Sequence, residues 1–367
     1  MTALSPQKYN TVYGRWAGVG PYYAMFPTNF AERVIKRYTD DDDTILDPFA
    51  GRGTTVFSAA HEGRRGIGIE LNPVGWIYAR AKLQAADKAD VLDRMNEIQR
   101  EAWRYRKSVS HLPEFFDYCF VSSVREFLVA ARAMLNWRRE KVDWTTMALL
   151  LIYLHGKRDA ALSNQMRQTK SMSPDYSISW WRRERSKPPV VDPVEFMRTR
   201  IEWRYAKGRP SFLDSKIYLG DSVKRLPQIA LKQEHKAQLL LTSPPYCGVT
   251  NYHYDQWLRL WLLGGPATPQ RREAYCCGRF SDRRRYEALL TTVFHAAAKL
   301  LSRDAVVYVR TDRREVTLSA TKRALRLAFP KKRLSAVAQP CRTPTQTALF
   351  GTVTSEVGEM DLILKPA

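Results

Sequence analysis

Short apolar runs that end in polar or turn-forming residues are the main pattern at the start of this chain. Residues 44–46 form one such run, which ends at Asp47 and predicts a buried strand. A glycine turn then leads into residues 54–60, which predict a helix. A second strand is predicted at 66–70 and a further helix at 73–84. This order is typical of the first half of a doubly wound α/β sheet.

Strand patterns then disappear over a segment that is too long to be a loop and that we interpret as an inserted, largely helical domain. Helices are predicted at 92–107, 122–138, 145–154 and 194–204. The α/β pattern resumes with a strand signal at 216–221, further strands at 237–242, 305–310 and 360–364, and helices at 285–301 and 318–329. We therefore expect an α/β catalytic domain built from residues 1–84 and 211–367, with residues 85–210 inserted into it.

The net charge of the chain indicates what kind of molecule it binds. The 367 residues carry 59 Lys and Arg against 37 Asp and Glu, a formal net charge of +22. Basic and acidic residues nearly balance over residues 1–100, so the excess lies in the remainder. An excess of this size indicates a polyanionic partner, although a basic surface that serves only solubility is the alternative.

Composition gives no sign of a membrane or metal protein. No apolar run approaches the roughly 20 residues that span a bilayer, and no signal-peptide pattern is present, so we expect a soluble cytoplasmic chain. The five cysteines lack a paired CxxC spacing and the histidines are scattered. These features predict free thiols and no metal site.

The turn at residues 47–55, Asp-Pro-Phe-Ala-Gly-Arg-Gly-Thr-Thr, carries the first chemical signal. A glycine turn between a strand and a helix lets backbone N–H groups approach a ligand, and Glu70 at the end of the next strand suits a ribose diol. Asp47 would repel a pyrophosphate but attract an ammonium group. The pattern favours S-adenosylmethionine over a dinucleotide, with an ordinary strand-to-helix turn as the alternative.

This turn resembles the DPFxGxGT motif of the exocyclic-amino DNA methyltransferases, and residues 22–30 resemble the FP-containing segment that covers the methionine end of the cofactor in that family. Read alone, residues 22–30 could equally be an aromatic turn. The resemblance implies a Rossmann-like methyltransferase sheet and S-adenosylmethionine as cofactor. The cofactor-binding residues predicted are Tyr22, Phe26, Pro27, Asp47, Phe49, Gly51, Gly53, Thr54, Glu70 and Asp221. For Asp221, capping of a helix is the alternative.

A second motif, Thr242-Ser243-Pro244-Pro245-Tyr246, directly follows the apolar strand 237–242. Consecutive prolines fix an extended backbone whose carbonyls face outward as acceptors. Such acceptors, with Ser243, suit the two N–H groups of an exocyclic amine, and Tyr246 offers a ring to stack on a base. In the family that the motif resembles, this segment is the catalytic one, so Ser243, Pro244, Pro245 and Tyr246 are the predicted catalytic residues. A rigid exit from the strand is the alternative.

The aromatic stretch after this motif admits two interpretations. Tyr252 or Tyr254 could line a flipped base, whereas Trp257 and Trp261, one helical turn apart, fit a hydrophobic core. Cys341 belongs to the only Pro-Cys pair, but its place after the Ser-Pro-Pro-Tyr motif and near the end of the sequence indicates a buried thiol rather than the nucleophile of a cytosine-C5 enzyme.

Two polar segments are candidates for contact with DNA. Residues 163–170 combine amides, hydroxyls and basic groups, which can pair with base edges, and a Trp-Trp-Arg-Arg run follows. A solvated polar loop is the alternative, as a solvated face is for the basic residues of 270–285. The DNA-binding residues predicted are Asn164, Gln165, Arg167, Lys170, Arg271 and Arg272.

Together these observations predict a site-specific DNA methyltransferase that flips a base and methylates its exocyclic amine, with region 85–210 recognising the target. Ser243 at the head of the second motif is more similar to cytosine-N4 members, so cytosine N4 is favoured over adenine N6. An RNA amino-methyltransferase and an inactive DNA-binding protein on the same fold are the alternatives. The expected partner is double-stranded DNA, with a cognate restriction endonuclease as a candidate second partner.

Overall fold

The computed structural model describes residues 9–21, 27–231, 236–248, 252–270, 282–339 and 358–366. The chain divides into two compact units. The sheet unit comprises Tyr22–Ala79, Phe212–Asn251 and Arg272–Ala367, and the helical unit comprises Met1–Pro21, Arg80–Ser211 and Tyr252–Arg271. The helical unit thus contains all of the region predicted as an insertion, residues 85–210, together with stretches from the predicted α/β part.

Helices and strands alternate over most of the sheet unit, and the elements that the described residues of the helical unit form are helices. The strands are β1 Thr44–Asp47, β2 Arg65–Glu70, β3 Lys216–Leu219, β4 Ala237–Thr242, β5 Leu301–Asp312, β6 Lys332–Gln339 and β7 Glu359–Pro366. The helices are α1 Val12–Ala17, α2 Thr28–Tyr38, α3 Thr54–His61, α4 Pro73–Leu83, α5 Lys88–Glu101, α6 Arg106–Val109, α7 Phe115–Cys119, α8 Ser122–Met134, α9 Lys141–Tyr153, α10 Pro174–Arg183, α11 Pro193–Tyr205, α12 Ser222–Ala230, α13 Tyr252–Asp255, α14 Trp257–Leu262, α15 Arg283–Ala298 and α16 Glu315–Ala328, with a 3-10 turn at Ala102–Tyr105.

The seven strands form one sheet in the order β3-β2-β1-β4-β5-β7-β6. The first five are parallel, and β7 runs antiparallel to both of its neighbours. From β1, the chain adds β2 and β3 toward one edge of the sheet and then β4 and β5 on the other side of β1. This reversal of direction at β1 confirms the doubly wound α/β fold class. Parallel strands end at the same edge, so the residues that follow β1, β2, β3 and β4 meet there.

Both faces of this sheet are covered, which explains why its central strands read as continuous apolar runs. On one face, Phe30 and Val34 of α2 pack with Ile45 of β1 and Leu241 of β4. On the other face, α12, α15 and α16 cover a larger cluster that includes Leu240 of β4. A strand buried on both faces is rigid, and its end is therefore a precise position for functional side chains.

The ends of several elements differ from the sequence prediction. The predicted helix at 92–107 divides into α5, a 3-10 turn and α6. The predicted strand at 305–310 extends to the full length of β5, whereas β6 has no counterpart in the prediction. Most β6 side chains are exposed, so its sequence lacks the apolar signal of the central strands.

None of the helices among the described residues combines the length and apolar character that crossing a bilayer requires.

Trp257 and Trp261 are buried, at 3% and 2% exposure, which confirms their interpretation as core residues.

Candidate active site

The end of β1 places Asp47 inside the protein, at 2% exposure. Its Oδ1 accepts a hydrogen bond from the Thr242 hydroxyl at 2.6 Å and another from the Phe49 backbone N–H at 3.0 Å. Burial raises the pKa of Asp47 to about 6, although the hydrogen bonds from Thr242, Thr55 and Phe49 act in the opposite direction. Asp47 forms no ion pair within the described part of the chain. A buried carboxylate without a cation is an acceptor suited to a ligand ammonium group.

The glycine turn after β1 is tightly constrained. Gly51 and Gly53 have φ values of 54° and 76°, which favour glycine, and the Gly53 N–H donates to the Ala50 carbonyl at 2.7 Å. A Cβ on Gly53 would lie 2.5 Å from the Cβ of Ala79 in α4. Gly53 is also the residue from which α3 begins, with Thr54 buried in its first turn. The turn therefore holds its backbone close to two helices.

Glu70 at the end of β2 is fixed against this turn. One carboxylate oxygen accepts the Gly51 N–H at 2.7 Å, and the other accepts the Asn72 N–H at 2.8 Å. The side chain of Asn72 in turn accepts the Val74 N–H at 2.9 Å. Glu70 is 9% exposed, and a carboxylate can accept more bonds than these two.

Asp221, after β3, caps a helix. Its side chain accepts the Val223 N–H at 3.0 Å at the start of α12. The adjacent Ser222 hydroxyl donates to the carbonyl of Pro48 in the glycine turn. The helix-cap interpretation of Asp221 thus describes its contact in the structure, and its predicted contact with a cofactor stays a prediction.

The Ser-Pro-Pro-Tyr segment leaves β4 next to Asp47, because Thr242, its preceding residue, bonds that carboxylate. Ser243 and Pro245 are half-buried, whereas Pro244 is buried and Tyr246 is 5% exposed. The segment therefore offers the serine side chain more readily than the tyrosine ring. The bond from Thr242 to Asp47 joins the two sequence motifs directly.

The sequence prediction overlooked a charged pair at the end of β5. Asp312 is 5% exposed and pairs with Arg314, whose guanidinium also donates to the Cys247 carbonyl at 3.0 Å. Burial raises the pKa of Asp312, and Arg314 opposes that effect. The pair fixes the backbone just after Tyr246. The Arg-Thr-Asp-Arg-Arg run at 310–314 is the signal that could have revealed it.

The predicted DNA-binding residues of the helical unit occupy different surroundings. Gln165 and Arg167 are exposed. Asn164 is fully buried, and its amide donates to the carbonyls of Tyr118 and Ser186 at 3.1 and 3.0 Å. The ammonium group of Lys170 lies 2.8 Å from a buried carboxylate oxygen of Asp255. Asn164 and Lys170 therefore bond within the protein rather than pointing into solvent.

Of the remaining predicted residues, one is described by the structure. Pro27 is exposed at the start of α2. Tyr22, Phe26, Arg271, Arg272 and Cys341 lie outside the described residues. In the part of the chain that is described, no cluster of three or more His, Cys, Asp or Glu side chains could hold a metal ion.

The family comparison matches the amino-terminal part of the chain. Residues 4–74 match the family model described as DNA methylase, of the N6 and N4 type. This segment includes β1, the glycine turn and β2.

Several curated relatives are Type II methyltransferases. M.MjaII of Methanocaldococcus jannaschii is 36% identical over 86 residues, which are 22% of this chain and 16% of that protein. M.ScaI of Streptomyces caespitosus is 50% identical over 62 residues, 17% of this chain and 20% of that protein. M2.DpnII of Streptococcus pneumoniae is 40% identical over 76 residues, 21% and 28% of the two chains. The matches thus span less than a third of each relative's length.

Among solved structures, the rRNA methyltransferase aviRa from Streptomyces viridochromogenes is similar at 13% identity and a TM-score of 0.39, over 99% of this chain and 93% of that one. The sequence matches are the more specific finding. This chain is thus similar to DNA methylases of the N6 and N4 type over residues 4–74 and to Type II methyltransferases over stretches of 62 to 86 residues.

Proposed function

We propose that this protein is an S-adenosylmethionine-dependent DNA methyltransferase that methylates the exocyclic amine of a flipped base, cytosine N4 in preference to adenine N6. One observation carries the proposal: the Thr242 hydroxyl bonds Asp47 at 2.6 Å, so a cofactor-type carboxylate and a Ser-Pro-Pro-Tyr segment meet at one sheet edge. The DNA methylase match to residues 4–74 supports it.

The residues present fit the cofactor. Asp47 is a buried carboxylate suited to the ammonium of the methionine end, and Glu70 lies against the glycine turn, where it can accept ribose hydroxyls. When bound, the cofactor supplies a methyl group attached to a positively charged sulfur. The sulfur side of the cofactor is already a good leaving group. The protein therefore needs no nucleophile of its own.

What the protein must do is orient the amine. The lone pair of an aromatic amino group is delocalised into the ring, which makes the nitrogen a weak nucleophile. Ser243 and the Pro244 carbonyl would accept its two hydrogens and favour a pyramidal nitrogen with the lone pair exposed. Ser243 is half-buried at the strand end, where a base can reach it. Ser at this position, which in the resembled family accompanies cytosine N4, supports that base over adenine.

Replacement of Glu70 tests the cofactor site. We expect Glu70→Gln to weaken S-adenosylmethionine binding by about 10- to 150-fold, since charge-assisted hydrogen bonds contribute about 1.5 to 3 kcal/mol. Isothermal titration calorimetry measures the change. Glu202→Gln, on the exposed side of α11, is the matched control and should bind normally. Equal affinities for the two variants, both folded, would remove Glu70 from the site.

Replacement of Tyr246 tests the base site. Tyr246→Ala should keep cofactor binding but lower methylation by about 5- to 150-fold, because base stacking on an aromatic ring contributes about 1 to 3 kcal/mol. Tyr246→Phe retains the ring and should retain activity. Methyl transfer to DNA under saturating conditions is the measurement. Full activity of Tyr246→Ala would show that this buried ring only supports the fold.

A further inference from the structure

The polar loop, residues 164–172 of the helical unit, is held by an unusual set of buried side chains. Each donates a hydrogen bond to a different backbone carbonyl of the loop. The pairs are Trp181 Nε1 to Gln165 at 2.8 Å, His155 Nδ1 to Arg167 at 2.8 Å, Arg259 Nη2 to Gln168 at 2.6 Å, Gln256 Nε2 to Thr169 at 3.0 Å and Trp257 Nε1 to Met172 at 3.0 Å. All five donor residues are at most 3% exposed. We call these five residues the cage.

The loop is anchored through its N–H groups as well. The Asn164 and Ser171 N–H groups donate to the carbonyls of Cys119 and Asp255, each at 2.7 Å. Between these ends, the Met166 N–H donates to the Gly156 carbonyl at 2.8 Å. The backbone of the polar loop is therefore bonded to the rest of the helical unit along most of its length.

The cage is chemically consistent within itself. Burial and the nearby charge of Arg259 hold the pKa of His155 well below its usual value, so the ring is neutral. A neutral ring donates from one nitrogen only, and Nδ1 uses its hydrogen on the Arg167 carbonyl. Nε2 then accepts a hydrogen bond from the Ser171 hydroxyl at 3.1 Å. Arg259 makes two further bonds, to the Leu151 carbonyl and the Gln256 side chain.

A solvated loop does not need such a cage, because water satisfies exposed carbonyls. Burying five polar donors is favourable only where each finds its acceptor, and the result is a backbone of one fixed conformation. Fixed backbones are what precise recognition requires, since a side chain that is positioned beforehand loses less entropy on binding. The cage thus indicates that the loop presents its outward side chains to a ligand.

The outward side chains are Gln165, Arg167 and Gln168, all exposed. A Gln amide can pair with adenine through two hydrogen bonds, and Arg can pair in the same way with guanine. The strand bridge between Gly156 and Gln165 brings the following residues Lys157 and Arg158, also exposed, next to this surface. Base-reading groups flanked by positive charge fit a DNA groove and its phosphates.

We propose that Gln165, Arg167 and Gln168 are the base-reading residues of this protein and that the cage positions them in a groove of double-stranded DNA. The proposal rests on the DNA methyltransferase function proposed above and gives its substrate recognition a location. It adds Gln168 to the residues predicted from the sequence. It assigns Asn164 and Lys170 to the support of the loop, since their polar groups bond Ser186 and Asp255.

The test is selection of bound sequences from a pool of random duplexes of about 30 base pairs, with S-adenosylhomocysteine present. The wild-type protein should enrich one sequence motif. Gln165→Ala, Arg167→Ala and Gln168→Ala should each relax the preference at one position by about 5- to 150-fold, while affinity for unselected DNA stays within about threefold. Gln228→Ala, an exposed glutamine of α12, is the control and should leave the motif unchanged.

A second variant tests the cage without altering the surface. Trp181→Phe removes the indole N–H and keeps most of the ring, so the motif should relax at the position that Gln165→Ala affects. Trp16→Phe removes an equally buried indole donor, which bonds Gly208 at 3.1 Å, and should have no such effect. A general loss of stability would lower affinity without altering one motif position selectively.

Transfer of a tritiated methyl group to the same duplexes is measured separately and distinguishes the two proposals. A motif that relaxes in the loop variants, without methyl transfer, supports the reading surface and overturns the enzymatic function. Methyl transfer with a motif that the loop variants leave unchanged overturns the reading surface alone. Absence of DNA binding, or binding to all duplexes alike, also overturns the reading surface.

Discussion

Gly53→Ala is expected to lower the free energy of unfolding by about 2 to 5 kcal/mol. Two effects add: an alanine at a φ of 76° costs about 1 to 2 kcal/mol, and its Cβ would lie 2.5 Å from the Cβ of Ala79. Relief of this overlap requires α4 or the glycine turn to move, so cofactor binding should fall with stability. Urea denaturation and calorimetric titration measure the two losses.

Gly63 supplies the control for the backbone effect. Its φ of 77° nearly equals that of Gly53, but a Cβ there would have no neighbour within 4 Å. Gly63→Ala should therefore cost only the backbone strain of about 1 to 2 kcal/mol and leave cofactor binding unchanged. Equal losses of stability for the two variants would contradict the close approach of turn and helix.

Cofactor affinity should fall about tenfold for each pH unit below about 6. Burial raises the pKa of Asp47 to about 6, so this carboxyl is ionised at pH 7 and largely protonated at pH 5. Only the ionised form attracts an ammonium group, and binding at low pH must therefore release a proton. Calorimetry between pH 5 and 8 measures the profile, and an affinity independent of pH over this range would contradict the role of Asp47.

The contribution of Asp47 to the free energy of unfolding should fall as the pH rises, whereas cofactor affinity should rise. A pKa raised from 3.8 to about 6 by folding means that the folded state favours the protonated carboxyl. The resulting stabilisation, about 3 kcal/mol, is present below pH 3.8 and is lost as the pH rises through 6. Asp47→Asn cannot titrate, so the difference in unfolding free energy between wild type and variant isolates this contribution from that of other carboxyls.

The central strands could be predicted from the sequence because burial on both faces leaves a local signal. The predicted and observed bounds agree at 237–242, and the predicted run 44–46 lies within β1. Strand β6 could not be predicted, since it lies at the sheet edge and most of its side chains are exposed. Its pairing with β7, which lies beyond residues 340–357 in sequence, is set by the sheet and not by its own residues.

The residues of the candidate site that belong to a sequence motif could be predicted. The contacts between residues far apart in the sequence could not. The sequence identifies Asp47 and the Ser-Pro-Pro-Tyr segment, but it does not show that Thr242 bonds Asp47, 195 positions away. Nor does it show that Asn164 is buried. A run of polar residues predicts an exposed segment. Which of its side chains is buried depends on how the surrounding residues pack.

Nucleoside mass spectrometry of methylated DNA tests the central claim most directly. Purified protein is incubated with genomic DNA lacking methylated bases and with S-adenosylmethionine carrying a deuterated methyl group, and the DNA is digested to nucleosides. Deuterated N4-methylcytosine is the expected product, and it should be absent with Ser243→Ala or without protein. Deuterated N6-methyladenine would keep the enzyme class but contradict the choice of base, and DNA without any deuterated exocyclic methyl group would contradict the proposed function itself.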